Sequence, residues 1–410
     1  MKIRNTIFAT LLCLFLCGPA ALIGVQKIIG LEIPPRLSAE SARWLSGGIE
    51  NADVQAVSNL EGFFSKKLQT AIETEIENYI PAKACALLEN ASLQRFMIEA
   101  SNTLFQWSCY PTFYGSSVIY IPEENALTSI PPKEIEEENG IEDFTSELDK
   151  YALTHPDVNF VVYVVPENNY FTVHNPATEL VSDALTFDDV ILQFKNTLSN
   201  TSSVKLLYPE FNSLSDYYQY FFTSDLHWNI KGAARAVQEI IDALNLEEMT
   251  SGTYDAISNI PFMGTESRGA LMLLGDEIQD YSFDDSDLYT EGEGGKRQGI
   301  DLHEHYWKAS LLDKQFNSYS YFTDLENTTI KGGKGTHKIL LVADSLGAAA
   351  QRILAYSSSE LTHCDALRGE KNSDLVLSEE LQKNDIDTVV FIGRPFDYAS
   401  FIKRNPSYFS

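Results

Sequence analysis

The chain is short of cysteine and of positive charge. Five cysteines are spread over 410 residues, and two of them, Cys13 and Cys17, lie inside an apolar N-terminal run. The other three, Cys85, Cys109 and Cys364, make no Cys-x-x-Cys pair, and no His-x-x-x-His spacing accompanies them. Nothing therefore indicates a zinc site of ordinary spacing. Lysine and arginine number 30 against 58 aspartate and glutamate, a net charge of −28. Phosphate backbones are held by clustered Lys and Arg, so no nucleic acid is expected as a partner. Peripheral attachment to anionic lipid is disfavoured for the same reason. Internal repeats and long low-complexity tracts are absent too. What is present, 44% hydrophobic and 21% charged residues, suits a globular protein with a real core. The length fits two or three units, or one large domain with additions.

One long hydrophobic run exists. "MKIRNTIFATLLCLFLCGPAALIGVQKIIG" carries Lys2 and Arg4 and then no charge from Thr6 to Val25. A helix of that length spans about 30 Å, the thickness of a bilayer core. Positive charges ahead of it predict a cytoplasmic N-terminus and an exported remainder. Residues 1–30 are thus read as a signal anchor; a cleaved signal peptide, cut near Ala20 and Ala21, is the alternative. Leu16 before Cys17 argues against lipoprotein processing. In an exported body, Cys85 and Cys109 are open to two readings, a disulfide or inert buried thiols.

Residues 31–115 read as a helical N-terminal region, with a break at Pro81. From 116 the texture changes. "SSVIYIP" (116–122), "VNFVVYVVP" (158–166), "VKLLYP" (204–209), "HKILLVAD" (337–344) and "DTVVFIGRP" (387–395) are short unbroken apolar runs, as in strands covered on both faces. Helical patterns separate them, at 231–244, 346–356 and 377–383. The alternation predicts an α/β domain over 116–410, with a mostly parallel open sheet flanked by helices. Residues 245–336 break the rhythm; they are polar and acidic, and are expected as a surface excursion.

Ligands in such sheets bind beyond the carboxyl ends of the strands. There the run 337–344 delivers Asp344 and Ser345 to the start of a helix. Unpaired backbone N–H groups and the positive end of the helix dipole favour a developing oxyanion at that point. A serine hydroxyl needs a base, and the base needs an acceptor that fixes its tautomer. "FTSDLHWNIKGAA" (221–233) offers His227 and, two residues earlier, Asp225. Taken singly, each motif also has a structural explanation: Ser345 or Asp344 as a helix cap, and His227 as a core histidine with Asp225 capping the next helix.

Together, "SDLHWNIKGA" (224–233) and "ILLVADSLG" (339–347) resemble the DHHW family of exported bacterial proteins and the related alginate O-acetylation proteins. "EGFFSKKLQTAIETEIENYIPAKA" (61–84) resembles the family's N-terminal helical region more loosely. The resemblance implies a permuted SGNH-hydrolase-like fold, with the Asp–His pair ahead of the serine. It implies Ser345 as nucleophile, His227 as general base and Asp225 as its orienting partner. Two positions depart from the pattern: Leu226 stands where the family has its first His, and Ala343 where it has a Gly. No Asn stands at the strand end "FIGRP". The oxyanion donors are then the N–H groups of Ser345 and Leu346, with Gly393 and Arg394 in "FIGRP", Arg368 in "CDALRG" and Arg268 in "FMGTESRG" as further candidates for oxyanion or substrate contact.

The activity implied is that of a membrane-anchored, extracytoplasmic, serine-dependent acyl-ester enzyme, an O-acetyltransferase acting on a cell-surface polysaccharide. Its partners would be that polysaccharide, an acyl donor and a multi-pass membrane acyltransferase. A carbohydrate esterase, or a non-catalytic glycan-binding or assembly protein of the same fold, are the alternatives. No cofactor and no metal are expected. "DLHEHYW" (301–307) is read as an exposed loop rather than a metal site. "KGGKG" (331–335) is read as a flexible loop and not a phosphate loop, since no Ser or Thr follows its Lys. Trp228 is read as packing the motif against the core.

Overall fold

The computed structural model describes residues 58, 63–78, 83–134, 139–168, 175–181, 184–198, 204–247, 249–271, 273–292, 295–323, 325–367 and 376–409. The expected signal anchor or signal peptide at residues 1–30 lies outside them. Among the described residues no helix is long and apolar enough to cross a membrane. The chain divides into two compact units, one of residues 1–118 with 267–273, the other of 119–266 with 274–410.

The first unit is built on two helices, Lys67–Asn78 and Lys83–Phe105. The second of these buries Ala91 and Ile98. Its Arg95 donates from Nη1 to the carbonyl of Ala270 at 2.8 Å, which ties residues 267–273 into the unit. The side chain of Cys85 lies outside the described residues, and with it the question of a Cys85–Cys109 bond.

The second unit is a mixed α/β structure around a large, mostly parallel sheet. Its strands, in chain order, are β1 (Asn159–Val164), β2 (Val204–Leu207), β3 (Tyr289–Gly292), β4 (Gly295–Arg297), β5 (Thr329–Lys331), β6 (Lys338–Ala343), β7 (Glu360–Cys364) and β8 (Thr388–Gly393). Across the sheet they run β2-β1-β8-β6-β7-β5-β3-β4. The first five are parallel, and the last three continue the sheet antiparallel. Four of the five apolar runs in the sequence are β1, β2, β6 and β8. The fifth run supplies Val118–Ile121, outside this sheet.

Strand residues alternate between two covered faces. Phe160, Val162, Leu340, Val342, Val389 and Phe391 enter one core with α1 (Gly140–Thr154), α2 (Phe187–Leu198), α5 (Leu377–Asn384) and α6 (Pro395–Arg404). Tyr163 points to the opposite face, where its hydroxyl donates to Glu239 on α3 (Ile230–Leu244) at 2.7 Å. α3 packs there beside α4 (Ser345–Tyr356). Burial on both faces is why the central strands read as unbroken apolar runs. On α3, Val237, Ile240 and Ile241 are at most 2% exposed, each worth about 1.5–3 kcal/mol of burial. The N-cap of α3 is Asn229, whose side chain accepts from the N–H groups of Lys231 and Gly232. Asp225 is therefore not the cap.

The segment 245–336 is not a surface excursion. It contributes β3, β4 and β5 to the sheet, and Tyr281, Leu288, Leu302, Tyr306, Phe316, Tyr319, Tyr321, Phe322 and Ile330 are buried. Its acidic residues hold structure: Asp280 and Asp285 each meet Arg352 of α4 at 2.7 Å. The "KGGKG" stretch is likewise fixed, with Lys334 N–H on the carbonyl of Tyr356 at 2.7 Å.

Candidate active site

Ser345 opens α4 directly after β6. Asp344 is the N-cap, in extended backbone, and its Oδ1 accepts from the N–H of Leu346 at 2.8 Å. Ser345 is 8% exposed and stands at the first helical position, where a backbone N–H has no intrahelical acceptor.

The loop before α3 brings the other two groups. His227 Nε2 lies 2.7 Å from Ser345 Oγ. Its Nδ1 meets Oδ1 of Asp225, and its backbone N–H donates to that same oxygen at 3.0 Å. An ionised carboxylate only accepts, so the proton sits on Nδ1 and the Nε2 lone pair faces the serine hydroxyl. The second Asp225 oxygen accepts from the N–H of Thr265. Burial by itself would raise Asp225, but its pairing and hydrogen bonds with His227, with the N–H of Thr265, hold it below its usual value.

Several residues shape this chain of contacts. Gly264 leaves room for Thr265 to approach: a Cβ there would fall 2.3 Å from Asp225 Cβ and 2.5 Å from the carbonyl oxygen of Ser224. Asp276 anchors the loop just ahead of Asp225, accepting from the N–H and hydroxyl of both Thr223 and Ser224. Trp228, 1% exposed, donates from Nε1 to the carbonyl of Leu346 at 3.0 Å, which joins the histidine loop to the serine helix. Tyr319 lies over the imidazole, ring centroids 4.1 Å apart. Beside Asp225 sits Glu266, 4% exposed; burial first, then the Asp225 charge, push its carboxyl well above the usual range.

The further candidates fare differently. The Leu346 N–H is held by Asp344 and so is not presented to an oxyanion in this arrangement. Arg394 is engaged as well: Nε meets Asp397 at 3.0 Å, Nη2 meets Asp344 at 3.4 Å, and Glu167 lies 3.9 Å away. Through Asp344 it braces the turn that carries Ser345. Gly393 ends β8, its carbonyl accepting from Val165 at 2.8 Å. Arg268 belongs to the first unit, where its carbonyl accepts from Leu271 at 3.0 Å. Arg368 lies outside the described residues.

His303, expected on an exposed loop, is 5% exposed and its Nδ1 bonds the carbonyl of Tyr321 at 2.7 Å. His305 is exposed. Among the described residues, no group of His, Cys, Asp and Glu could hold a metal ion. Of the residues missed in the sequence, Gly264 and Thr265 lie in "FMGTESRG", a segment singled out for Arg268 instead. Asp276 and Tyr319 carry no local signal.

No family model matches the chain, and no curated protein matches it. Solved structures do. A DHHW family protein from Eubacterium siraeum matches with a TM-score of 0.53 and 19% identity, over 70% of this chain and 94% of that one. PatB1 from Bacillus cereus matches at 0.51 and 19%, over 67% and 94%. PatB1 with a sulfonyl adduct matches at 0.50 and 15%, over 70% and 98%. The chain shares their fold. The family resemblance read from the two motifs thus meets a structural neighbour of the same name.

Proposed function

We propose that the chain is a serine-dependent acyl-ester enzyme of permuted SGNH-hydrolase-like type. It acts as an O-acetyltransferase on a cell-surface polysaccharide and is held outside the cytoplasm by residues 1–30. One observation carries the reading: Ser345 Oγ stands 2.7 Å from His227 Nε2, with Asp225 on the far ring nitrogen. That order of nucleophile, base and orienting acid suits acyl transfer. Ser345 Oγ attacks the acyl carbonyl while its proton moves to His227 Nε2. The tetrahedral oxyanion is stabilised from the N-terminus of α4. Its collapse breaks the acyl carbon–oxygen bond of the donor, whose oxygen takes the proton back from His227. A sugar hydroxyl then gives its proton to His227 and attacks the acyl-serine; collapse breaks the acyl carbon–Oγ bond, and Ser345 Oγ takes the proton back from His227. With water in its place the same residues give an esterase.

A neighbour of this fold, PatB1, has been solved with a sulfonyl adduct, which makes sulfonyl and phosphonyl reagents natural probes here. The test is fluorophosphonate labelling, together with acetate release from p-nitrophenyl acetate with and without an oligosaccharide acceptor. Labelling lost in Ser345→Ala and reduced in His227→Ala is expected; a folded wild type that takes no label sinks the reading. A non-catalytic glycan-binding protein is the second reading. It is favoured by the engagement of the Leu346 N–H with Asp344, which leaves fewer donors for an oxyanion.

A further inference from the structure

Tyr319 reaches His227 from the segment that breaks the strand–helix rhythm of the sequence. Its ring lies face to face with the imidazole, centroids 4.1 Å apart and planes inclined by 26°. The tyrosine is itself locked: it meets Phe322 at 5.3 Å and Phe222 at 6.3 Å, both edge-on, and is 5% exposed. Burial, then the carboxylates of Asp344 and Asp225, keep its phenol well above the usual value, so the ring stays neutral.

Both ring nitrogens of His227 are engaged in the plane of the imidazole, by Asp225 and by Ser345. Contacts held at two ring nitrogens leave the ring free to tilt about the line that joins their partners. A flat contact on the face removes this freedom. It also has an electrostatic consequence. When the serine proton arrives the ring becomes a cation, and the face of an aromatic ring attracts a cation lying within about 6 Å.

We propose that Tyr319 is a positioning residue for the reaction at Ser345, its ring face fixing the tilt of His227 and stabilising the imidazolium formed during attack. This rests on the serine-dependent reading above.

The test measures the second-order rate of fluorophosphonate labelling at Ser345 in the full-length protein. Three replacements of Tyr319 are compared: Tyr319→Phe, Tyr319→Leu and a ring-trifluorinated phenylalanine. The trifluorinated ring keeps nearly the shape of phenylalanine but withdraws the negative charge of its face, so folding is not at issue. Phenylalanine is expected to label within about twofold of wild type, and the fluorinated ring and leucine about tenfold more slowly. Equal rates for the two aromatic replacements, or a wild-type rate in Tyr319→Leu, overturn the proposal. A wild type that takes no label brings down the serine reading itself, so the two failures are told apart.

Discussion

Ala343 and Gly347 face each other across the first turn of α4: a Cβ built on Gly347 would fall 2.2 Å from the Ala343 methyl. The methyl that departs from the family pattern at 343 thus points at a glycine in the helix. Within helices, alanine is favoured over glycine by about 1 kcal/mol. Gly347→Ala is nonetheless expected to destabilise by about 1–3 kcal/mol through overpacking. In the Ala343→Gly background the same change should stabilise. Chemical denaturation of the four proteins checks the change of sign.

Gly264→Ala probes the far side of the site. The added methyl collides with Asp225 and the Ser224 carbonyl, and relief must pull the Thr265 N–H off the carboxylate. On the proposed mechanism, turnover of p-nitrophenyl acetate should fall by about a hundredfold. Activity near the wild-type level would show that the Thr265 bond is dispensable.

Asp225→Asn keeps the shape but loses the charge that fixes the histidine tautomer. On the proposed mechanism, turnover of p-nitrophenyl acetate drops by about a thousandfold or more, while labelling by fluorophosphonate slows in parallel. Unchanged turnover would remove Asp225 from the chemistry.

Glu266 sets a pH dependence of stability. Its folded-state value lies well above the ordinary 4.5, so the fold favours the protonated acid. The stability it contributes is complete below about pH 4.5 and is lost as pH rises through the folded value. Glu266→Gln, permanently neutral, should therefore gain on wild type as pH increases, and melting curves from acid to mild alkali will show it. Parallel curves would contradict the assignment.

Arg394→Met would leave Asp344 and Asp397, with side chains 2% and 4% exposed, without their cation. A loss of about 3 kcal/mol is expected on denaturation, because two buried carboxylates lose a shared partner. A wild-type midpoint would mean that the network contributes nothing net.

The sequence was most legible where physics is local. β1, β2, β6 and β8 announce themselves because both faces are buried, and Asp225, His227 and Ser345 because they stand in compact motifs. β7, "ELTHC", carries no unbroken apolar run: its burial alternates over its first residues and includes Thr362 and His363. β3, β4 and β5 are short and polar, as antiparallel strands toward a sheet edge can be. Asp276, Tyr319 and Gly264 reach the site only through tertiary folding, so no window of residues around His227 could reveal them. His303 departs from the expected exposed loop because its ring stacks on Tyr321 at 3.9 Å, a contact made across the fold, while its neighbours Glu304 and His305 are exposed.

The indole bond from Trp228 to the Leu346 carbonyl does not pass through the serine hydroxyl. Deleting that oxygen therefore leaves the histidine loop and the serine helix tied together. On the proposed mechanism, Ser345→Ala is thus more than a negative control: it is a snare, a folded protein without the nucleophile that can be soaked with candidate acceptors for crystallography or mass spectrometry.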